Sequence, residues 1–343
     1  MTYEGETYSV TSIGKDAFNY CSSLTEVTIP SSVTSIGWAA FSKCSLTKVT
    51  IPNSVVSIDI GAFCYCPNLT EVTIPNSVTS IGNNAFGNCP NLTEVTIGSN
   101  VTSISDYTFQ SCRSLAKMHI PNSVTSIGER AFFFCSSLTE LTIGNSVTSI
   151  GYDAFAGCSS LTELTIPNSV TTIDRYAFSG CSGLTEVTIG NSVTSIGKRT
   201  FRDCSSLTTL YSLNPTPPSA IDYVGDSAFD DNHYMTVDVY VPQEALEAYR
   251  SADVWKEFKK LQDFEYNAVE EVSTASKQIQ SANGQITVTG LTDGTTVTVY
   301  DLSGRQIGTA VSTNGQTIIN PNLAPGSIAI VKIGDRSIKI TMK

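Results

Sequence analysis

Two histidines are all that the 343 residues supply. That scarcity removes most of the raw material for a His-dependent nucleophile or a His-rich metal set. His119 and His233 stand in unrelated contexts, without His-x-x-x-His spacing or a His–Cys or His–Ser pairing signature. No glycine-rich phosphate loop follows a strand-like stretch. The expectation is a protein that is not an enzyme, with no catalytic residues and no cofactor. Basic side chains are also few, 20 Lys and Arg against 31 Asp and Glu, for a formal net charge of −11. A nucleic-acid partner is not expected, because phosphate backbones are bound by a basic face. No apolar run approaches the roughly 18 residues that a bilayer-spanning helix needs. The start, Met1-Thr-Tyr-Glu-Gly-Glu, lacks the basic and apolar segments of a signal peptide. The chain opens inside a repeat-like phrase, Val10-Thr-Ser-Ile-Gly14, so a leader is expected to have preceded it and to have been removed.

Cysteine is not scarce, and its placement organises the chain. Cys21, Cys44, Cys66, Cys89, Cys112, Cys135, Cys158, Cys181 and Cys204 each follow a phenylalanine by three residues: Phe18, Phe41, Phe63, Phe86, Phe109, Phe132, Phe155, Phe178 and Phe201. The step is 22–23 residues, and a period of that length marks a leucine-rich-repeat solenoid. Cysteines at one repeat position stack as a column with parallel Cβ vectors, which is poor disulfide geometry. A structural column of buried free thiols is therefore expected. Cys64 lies outside the column and is the expected reactive thiol if any is. Cys64-Tyr65-Cys66 is not a Cys-x-x-Cys pair, and nothing near it completes a zinc set. Asp222, Asp226, Asp230, Asp231 and Asp238 lack EF-hand spacing, so no metal site is expected.

Each repeat has two phrases. Leu-Thr-Glu-Val-Thr-Ile alternates and is β-rich, so a short strand is expected, with Val27 and Ile29, Val72 and Ile74, Leu141 and Ile143, and Leu164 and Ile166 facing the core. Pro or Gly then ends it. Val-Thr-Ser-Ile-Gly-x-x-Ala-Phe-x-x-Cys supplies the rest of the core. One repeat cannot bury its own apolar face, so stacking must do so. At about 4.8 Å per neighbouring strand, nine turns make a solenoid about 40 Å long.

Ile74-Pro-Asn-Ser-Val-Thr-Ser-Ile81-Gly, Ala85-Phe86 and Cys89-Pro-Asn-Leu92-Thr resemble the BspA-like leucine-rich repeats of bacterial surface proteins, and nine copies fall within residues 8–212. The resemblance implies a β-rich (α/β) leucine-rich-repeat solenoid, secretion or cell-surface display, and adhesion to host matrix or cell-surface proteins. It brings no catalytic residues. The expected domains are a solenoid over 1–212, a degraded last repeat with a strand-helix cap over 213–267, a linker over 268–282, and a small all-β sandwich over 283–343. The cap is read from Gly225-Asp-Ser-Ala-Phe229, the strand Val237–Val241 and a helix over Gln243–Leu261, with Ala245, Leu246, Tyr249, Val254, Trp255 and Phe258 on its apolar side. The sandwich is read from short alternating strands between Asn-Gly, Asp-Gly, Ser-Gly and Pro-Gly turns. Val299-Tyr-Asp-Leu-Ser-Gly-Arg305, Leu323-Ala-Pro-Gly326 and Ile330-Val-Lys-Ile-Gly334 are similar to C-terminal sorting domains of the type IX secretion route. The Gly-x-Tyr-x-x-Lys phrase of that family stands here as Gly326-Ser-Ile-Ala-Ile-Val-Lys332, without the tyrosine.

Two surfaces are candidate binding sites. The two positions after Ile-Gly and the two between Phe and Cys vary freely from repeat to repeat. Several are aromatic or arginine, the types enriched in binding hot spots: Trp38, Tyr65, Tyr107, Arg130, Phe133, Phe134, Tyr152 and Tyr176. The bland account of this variation is drift at exposed positions. The alternative is the outward strand column with Glu71, Glu94, Glu140, Glu163 and Glu186, interrupted by Lys48 and Lys117, which in leucine-rich repeats is the concave face. Its bland account is a solvated, aggregation-resistant sheet face; His119 is a solvated variant within it. Exposed Trp38, Tyr107, Tyr152 and Tyr176 also leave open a carbohydrate-binding reading, with glycans as partners. Asn68, Asn91 and Asn100 fit Asn-x-Thr, and Asp226-Ser227-Ala228 resembles a bacterial O-glycosylation triplet.

Overall fold

A computed structural model describes residues 2–3, 6–7, 9–220, 227–264, 278–282, 284–301, 306–323, 327–333 and 336–341. The chain forms two compact units, Met1–Val241 with Ala245–Gln262, and Pro242–Glu244 with Asp263–Lys343.

The first unit is the solenoid. The alternating Glu-Val-Thr phrase forms three-residue strands, among them Lys48–Thr50, Glu71–Thr73, Glu94–Thr96, Lys117–His119 and Glu140–Thr142. They pair in parallel, with Val49 opposite Val72 and Met118 opposite Leu141. Alternation puts the central apolar residue into the core and its neighbours outside. The Ser-Ile dipeptides, with Thr-Ile at 172–173, form two parallel sheets, Ser12–Ile13 through Ser80–Ile81 and Ser103–Ile104 through Ser195–Ile196, with Ile opposite Ile at each step within a sheet. A third ladder runs through the turn before each cysteine. There the Phe N–H donates to the carbonyl of the residue preceding the next Phe, as in Phe18 to Ala40 at 2.8 Å and Phe41 to Ala62 at 2.7 Å.

Ten phenyl rings, Phe18 through Phe201 at each repeat and then Phe229, stack along the core with centroids 5.0–5.9 Å apart and planes within 16°. Such separations are those of offset stacking. Cys44 through Cys204 lie buried beside them and are unbridged. Each Sγ–H donates to the Phe carbonyl one repeat back, at 3.1–3.4 Å. The thiol thus fills apolar volume and satisfies a buried carbonyl at once. Hydroxyls do the same work at the surface: Thr70 donates to Thr47 O, and Thr93 to Thr70 O. Inside, Ser54 and Ser77 donate to Val33 O and Val55 O.

The end of the stack is closed by aromatic side chains. Phe229 meets Trp255 at 5.8 Å and Phe258 at 5.2 Å. Trp255 Nε1 donates to Pro218 O at 2.8 Å, and Tyr249 OH donates to Asn214 O at 3.0 Å. The helix expected over Gln243–Leu261 is not continuous. It is a 3₁₀ turn Gln243–Ala245, a helix Leu246–Ser251, a 3₁₀ turn Trp255–Glu257 and the strand Lys260–Phe264. The break begins at Ala252, which is extended (φ −78°, ψ 141°), and Val254 beyond it takes a positive φ of 70°, a conformation no continuing helix permits. Burial of Tyr249, Val254, Trp255 and Phe258 is achieved regardless. A helix not foreseen, Asp231–Thr236, precedes the cap strand Asp238–Pro242. In the degraded last repeat, Gly225 and Asp226 lie outside the described residues, whereas Ala228 and Phe229 are buried in the core.

The second unit has a three-stranded antiparallel sheet of Gln278–Ala282, Gln285–Thr289 and Gln316–Ile319, and a four-stranded sheet in the order Gln306–Val311, Thr296–Asp301, Ile328–Ile333, Arg336–Thr341. Ile279, Ile286, Val288, Ile319, Val297, Val299 and Val331 from the two sheets share one core, a small sandwich. The linker expected over 268–282 is therefore too long at its end. Residues 278–282 pair with 285–289, and Ile279 and Ser281 point inward. Polar composition concealed the strand, since only one of its inward residues is a large hydrophobe. Residues 268–277, 302–305, 324–326 and 334 lie outside the described residues.

Candidate interaction surface

The variable positions are built by the turn between the Ser-Ile strand and the cysteine. At the second position after Ile-Gly, and again at the residue before Cys, φ is positive in every one of the nine repeats, from Asp16 and Tyr20 to Arg199 and Asp203, with Gly61, Gly157 and Gly180 among them. None of these positions holds Val, Ile or Thr. A β-branched side chain is the kind least able to take that conformation. The backbone, then, restricts half of these columns, and drift is an incomplete account of their composition.

The expected residues fall into two groups. Tyr107, Arg130, Phe133, Tyr152 and Tyr176 are half-buried, and the first four centre on one guanidinium. Arg130 Cζ lies 6.0 Å from the Tyr107 ring, 5.4 Å from Phe133 and 5.3 Å from Tyr152. Its Nε donates to Asp153 Oδ2 at 3.0 Å, and Tyr107 OH donates to Glu129 at 2.5 Å. Tyr152 and Tyr176 meet edge to face at 5.9 Å. The hydrogen bond to Glu129 raises the Tyr107 pKa, so its hydroxyl stays protonated at neutral pH. Phe134 is exposed, edge to face with Phe133, and its ring covers Gly157, where an added Cβ would come within 3.0 Å of it.

The second group lies on repeats one to three. Trp38 and Tyr65 are 40% and 48% exposed, beside Tyr20 at 65% and Ile60 at 45%. Lys15 Nζ sits 4.4 Å above the Trp38 ring. Lys43 Nζ lies 4.0 Å from the Tyr20 ring and 5.7 Å from that of Tyr65, and it hydrogen-bonds the Tyr20 hydroxyl. That bond raises the Lys43 pKa, so the group is cationic at neutral pH. Ile60 escaped sequence reasoning, because it shares a column with Lys15, Asn83 and Asp106 and looked like ordinary variation.

On the strand face, Lys48 pairs with Glu71 at 2.5 Å and Lys117 with Glu140 at 2.6 Å, each directly across the ladder. Glu94 and Glu163 are exposed, Glu186 half-buried, and His119 exposed in its strand. Exposed pairs of this kind contribute about 0–1 kcal/mol each, so their effect is to interrupt a like-charge column. An open groove of about 740 Å³ crosses the Ser-Ile column at Ser149–Gly151, Thr172–Asp174, Ser195–Gly197 and Ser219. Asp174 is its single charged lining residue, and its carboxylate accepts the Arg175 N–H at 2.7 Å. No acid–base pair forms there.

Cys64 does not occupy a reactive setting. It is buried, its Sγ donates to Ser42 Oγ at 3.2 Å, and burial raises its pKa away from the thiolate. His233 is buried in the cap. Its Nδ1 accepts the Asp230 N–H at 3.2 Å, which leaves Nε2 as donor to Cys204 O at 3.1 Å. Both histidines thus lie in separate surroundings, and no group of three or more His, Cys, Asp or Glu able to hold a metal ion forms among the described residues. Asp222 and Asp226, with the triplet that Asp226 opens, lie outside those residues. No described helix is long and apolar enough to cross a membrane.

A family profile, the BspA type leucine-rich repeat region in six copies, matches residues 6–116 and 102–236. No curated protein matches the chain. Among solved structures, a leucine-rich cell surface protein from Faecalibacterium prausnitzii is 31% identical over 61% of this chain and 71% of that one, with a TM-score of 0.40. The leucine-rich repeat protein of T. pallidum is 32% identical over 47% and 78%, with a TM-score of 0.45. The pneumococcal vaccine antigen PcpA is 22% identical over 74% and 75%, with a TM-score of 0.40.

Proposed function

The chain belongs to the BspA-type leucine-rich-repeat family, and we propose that it is a secreted or surface-displayed interaction protein that binds host matrix or cell-surface proteins through its repeat surface. The observation that carries this reading is the turn face, where aromatic and cationic side chains stand in register on a rigid hydrogen-bonded backbone. A solvated face has no need of Trp38, Tyr65 or Phe134 at such exposure, whereas exposed aromatics with arginine supply binding energy at low entropic loss. The carbohydrate alternative is the weaker of the two. Trp38, Tyr107, Tyr152 and Tyr176 each already have a cation near the ring, Lys15, Arg130 or Arg199, which leaves less free face for a sugar. The C-terminal sandwich is proposed as a structural or anchoring module.

The test is a binding screen of the intact chain against immobilised matrix proteins and a glycan array. A folded variant with alanine at Trp38, Phe133, Phe134, Tyr152 and Tyr176 is run beside it. Saturable binding to a protein, weakened by salt and lost in the variant, is expected. Binding to glycans alone, competed by free sugar, would replace this reading with the carbohydrate one, and binding to nothing would end it.

A further inference from the structure

Seven of the eleven exposed large hydrophobic side chains among the described residues lie in the first three repeats: Val10, Phe18, Tyr20, Trp38, Val56, Ile60 and Tyr65. Four of them form two short rows with two lysines. Lys15, Trp38 and Ile60 share one repeat position, and Tyr20, Lys43 and Tyr65 share another. Each row is held in register by backbone hydrogen bonds between successive turns: Asp16 N–H to Trp38 O and Ala39 N–H to Ile60 O in one, Tyr20 N–H to Ser42 O and Lys43 N–H to Cys64 O in the other, at 2.8–2.9 Å.

The charges set this patch apart from most other cations of the solenoid. Lys48, Lys117, Arg130, Arg175 and Arg202 each meet a carboxylate. Lys15 and Lys43 meet aromatic rings instead, and no carboxylate among the described residues lies within ion-pair distance of them. The nearby carboxylates are turned to local work: Asp16 accepts from the Asn19 amide and Asp59 from the Ile60 N–H. An unneutralised cation on an exposed ring attracts an anion, while the ring and Ile60 offer apolar area that a free anion does not use. The net charge of −11 opposes an acidic partner only weakly here, because salt screens exposed charges beyond about 8–10 Å.

We infer that repeats one to three form a docking site for a protein segment that carries carboxylates beside an aromatic or aliphatic side chain. The carboxylates meet Lys15 and Lys43, and the apolar group packs on Trp38, Ile60 and Tyr65. This rests on the interaction reading above and narrows it to one end of the solenoid, away from the Arg130 cluster, whose rings and charges already satisfy each other.

The test uses the whole chain and three immobilised probes: a random copolymer of glutamate and tyrosine, polyglutamate, and heparin. Two variants are compared, Lys15→Gln/Lys43→Gln and Trp38→Ala/Tyr65→Asn, asparagine being chosen for the positive φ at 65. Phe134→Ala is the distal control, and unchanged thermal midpoints show that each variant is folded. Salt-sensitive binding of the copolymer, tighter than of polyglutamate, is expected to weaken about tenfold or more in both variants and not in the control. Equal affinity in wild type and variants, polyglutamate binding as tightly as the copolymer, heparin binding that displaces it, or no binding of the copolymer would each overturn the inference. A matrix protein that binds in the screen and ignores these four substitutions would overturn this placement alone. Failure of every protein in that screen would overturn the broader reading as well.

Discussion

Cys135 and Cys181 are fully enclosed, and burial pushes both thiols up to about 12 from the ordinary 9.0. The folded chain therefore holds these two protons over a range in which the unfolded chain releases them. A raised acid pKa contributes stability that is complete below pH 9 and is lost as pH climbs from 9 toward 12. Each thiol withdraws at most about 1.36 kcal/mol per pH unit within that window, and because the unfolded thiols are only half ionised at pH 9, the pair withdraws about 3 kcal/mol between pH 9 and 10.5. The perturbation is Cys135→Ala/Cys181→Ala. At pH 7 the variant should be less stable by about 2–4 kcal/mol, the loss of two well-packed sulfur atoms. Above pH 9 the wild type should lose stability faster, and the two should converge near pH 10. Urea unfolding under reductant at half-unit steps from pH 7 to 10.5 reads the difference, and the tyrosines and lysines, common to both, cancel. A gap that stays constant from pH 9 to 10.5 would refute the reasoning, because the column thiols would then not be held neutral by the fold.

Three further outcomes follow from the same geometry. Phe109→Ala removes a ring stacked at 5.6 and 5.5 Å between Phe86 and Phe132; a loss of about 3–5 kcal/mol is expected in urea unfolding, and a loss under 1 kcal/mol would deny the stack its structural role. Tyr65 has φ of 57°, so Tyr65→Val should destabilise by about 1–2 kcal/mol while Tyr65→Asn stays within about 0.5 kcal/mol by thermal melt; the reverse order would remove the backbone constraint. With a thiol-specific chromogenic reagent at pH 8, Cys21, half-buried in the first repeat of the column, should be the thiol that reacts first, and Cys21→Ala should abolish that phase; a fast phase lost instead in Cys64→Ala would restore Cys64 as the reactive group.

The solenoid was legible because its core is written repeatedly. Phe, Cys, Leu, Val and Ile return at fixed offsets, and a period shared by that many buried positions has few structural solutions. The turn conformation was harder to see, since a positive φ leaves no mark on any single residue. Tyr20, Lys43 and Arg130 look like ordinary surface side chains, and the signal lay in what their columns omit, the β-branched types. At the cap, repetition ends and legibility falls with it. Tyr249, Trp255 and Phe258 were placed correctly in the core, yet the apolar spacing that suggested one helix is met by two short turns either side of Val254. In the sequence His233 shows only a lack of catalytic company. Its role, joining Asp230 to the Cys204 carbonyl, depends on a long-range contact that spacing does not reveal.

The same division explains why a binding surface can vary on this scaffold without loss of the fold. Most of the interactions that hold one repeat to the next run through the backbone, through buried Phe and Cys, or through Ser and Thr hydroxyls: the strand columns, the Phe ladder, the hydroxyls on the carbonyls one repeat back. None of these uses the side chains of the four variable positions. Those positions are bound to the architecture by one demand only, that two of them tolerate a left-handed backbone. Asn, Asp and Gly meet the demand most easily, and Asn84, Asn88 and Gly180 stand at such positions. Tyr20, Lys43, Tyr65, Arg130 and Phe134 meet it less easily and are present nonetheless. A large side chain kept at a strained position is an expense that stability does not require, and it falls where the rings and cations gather.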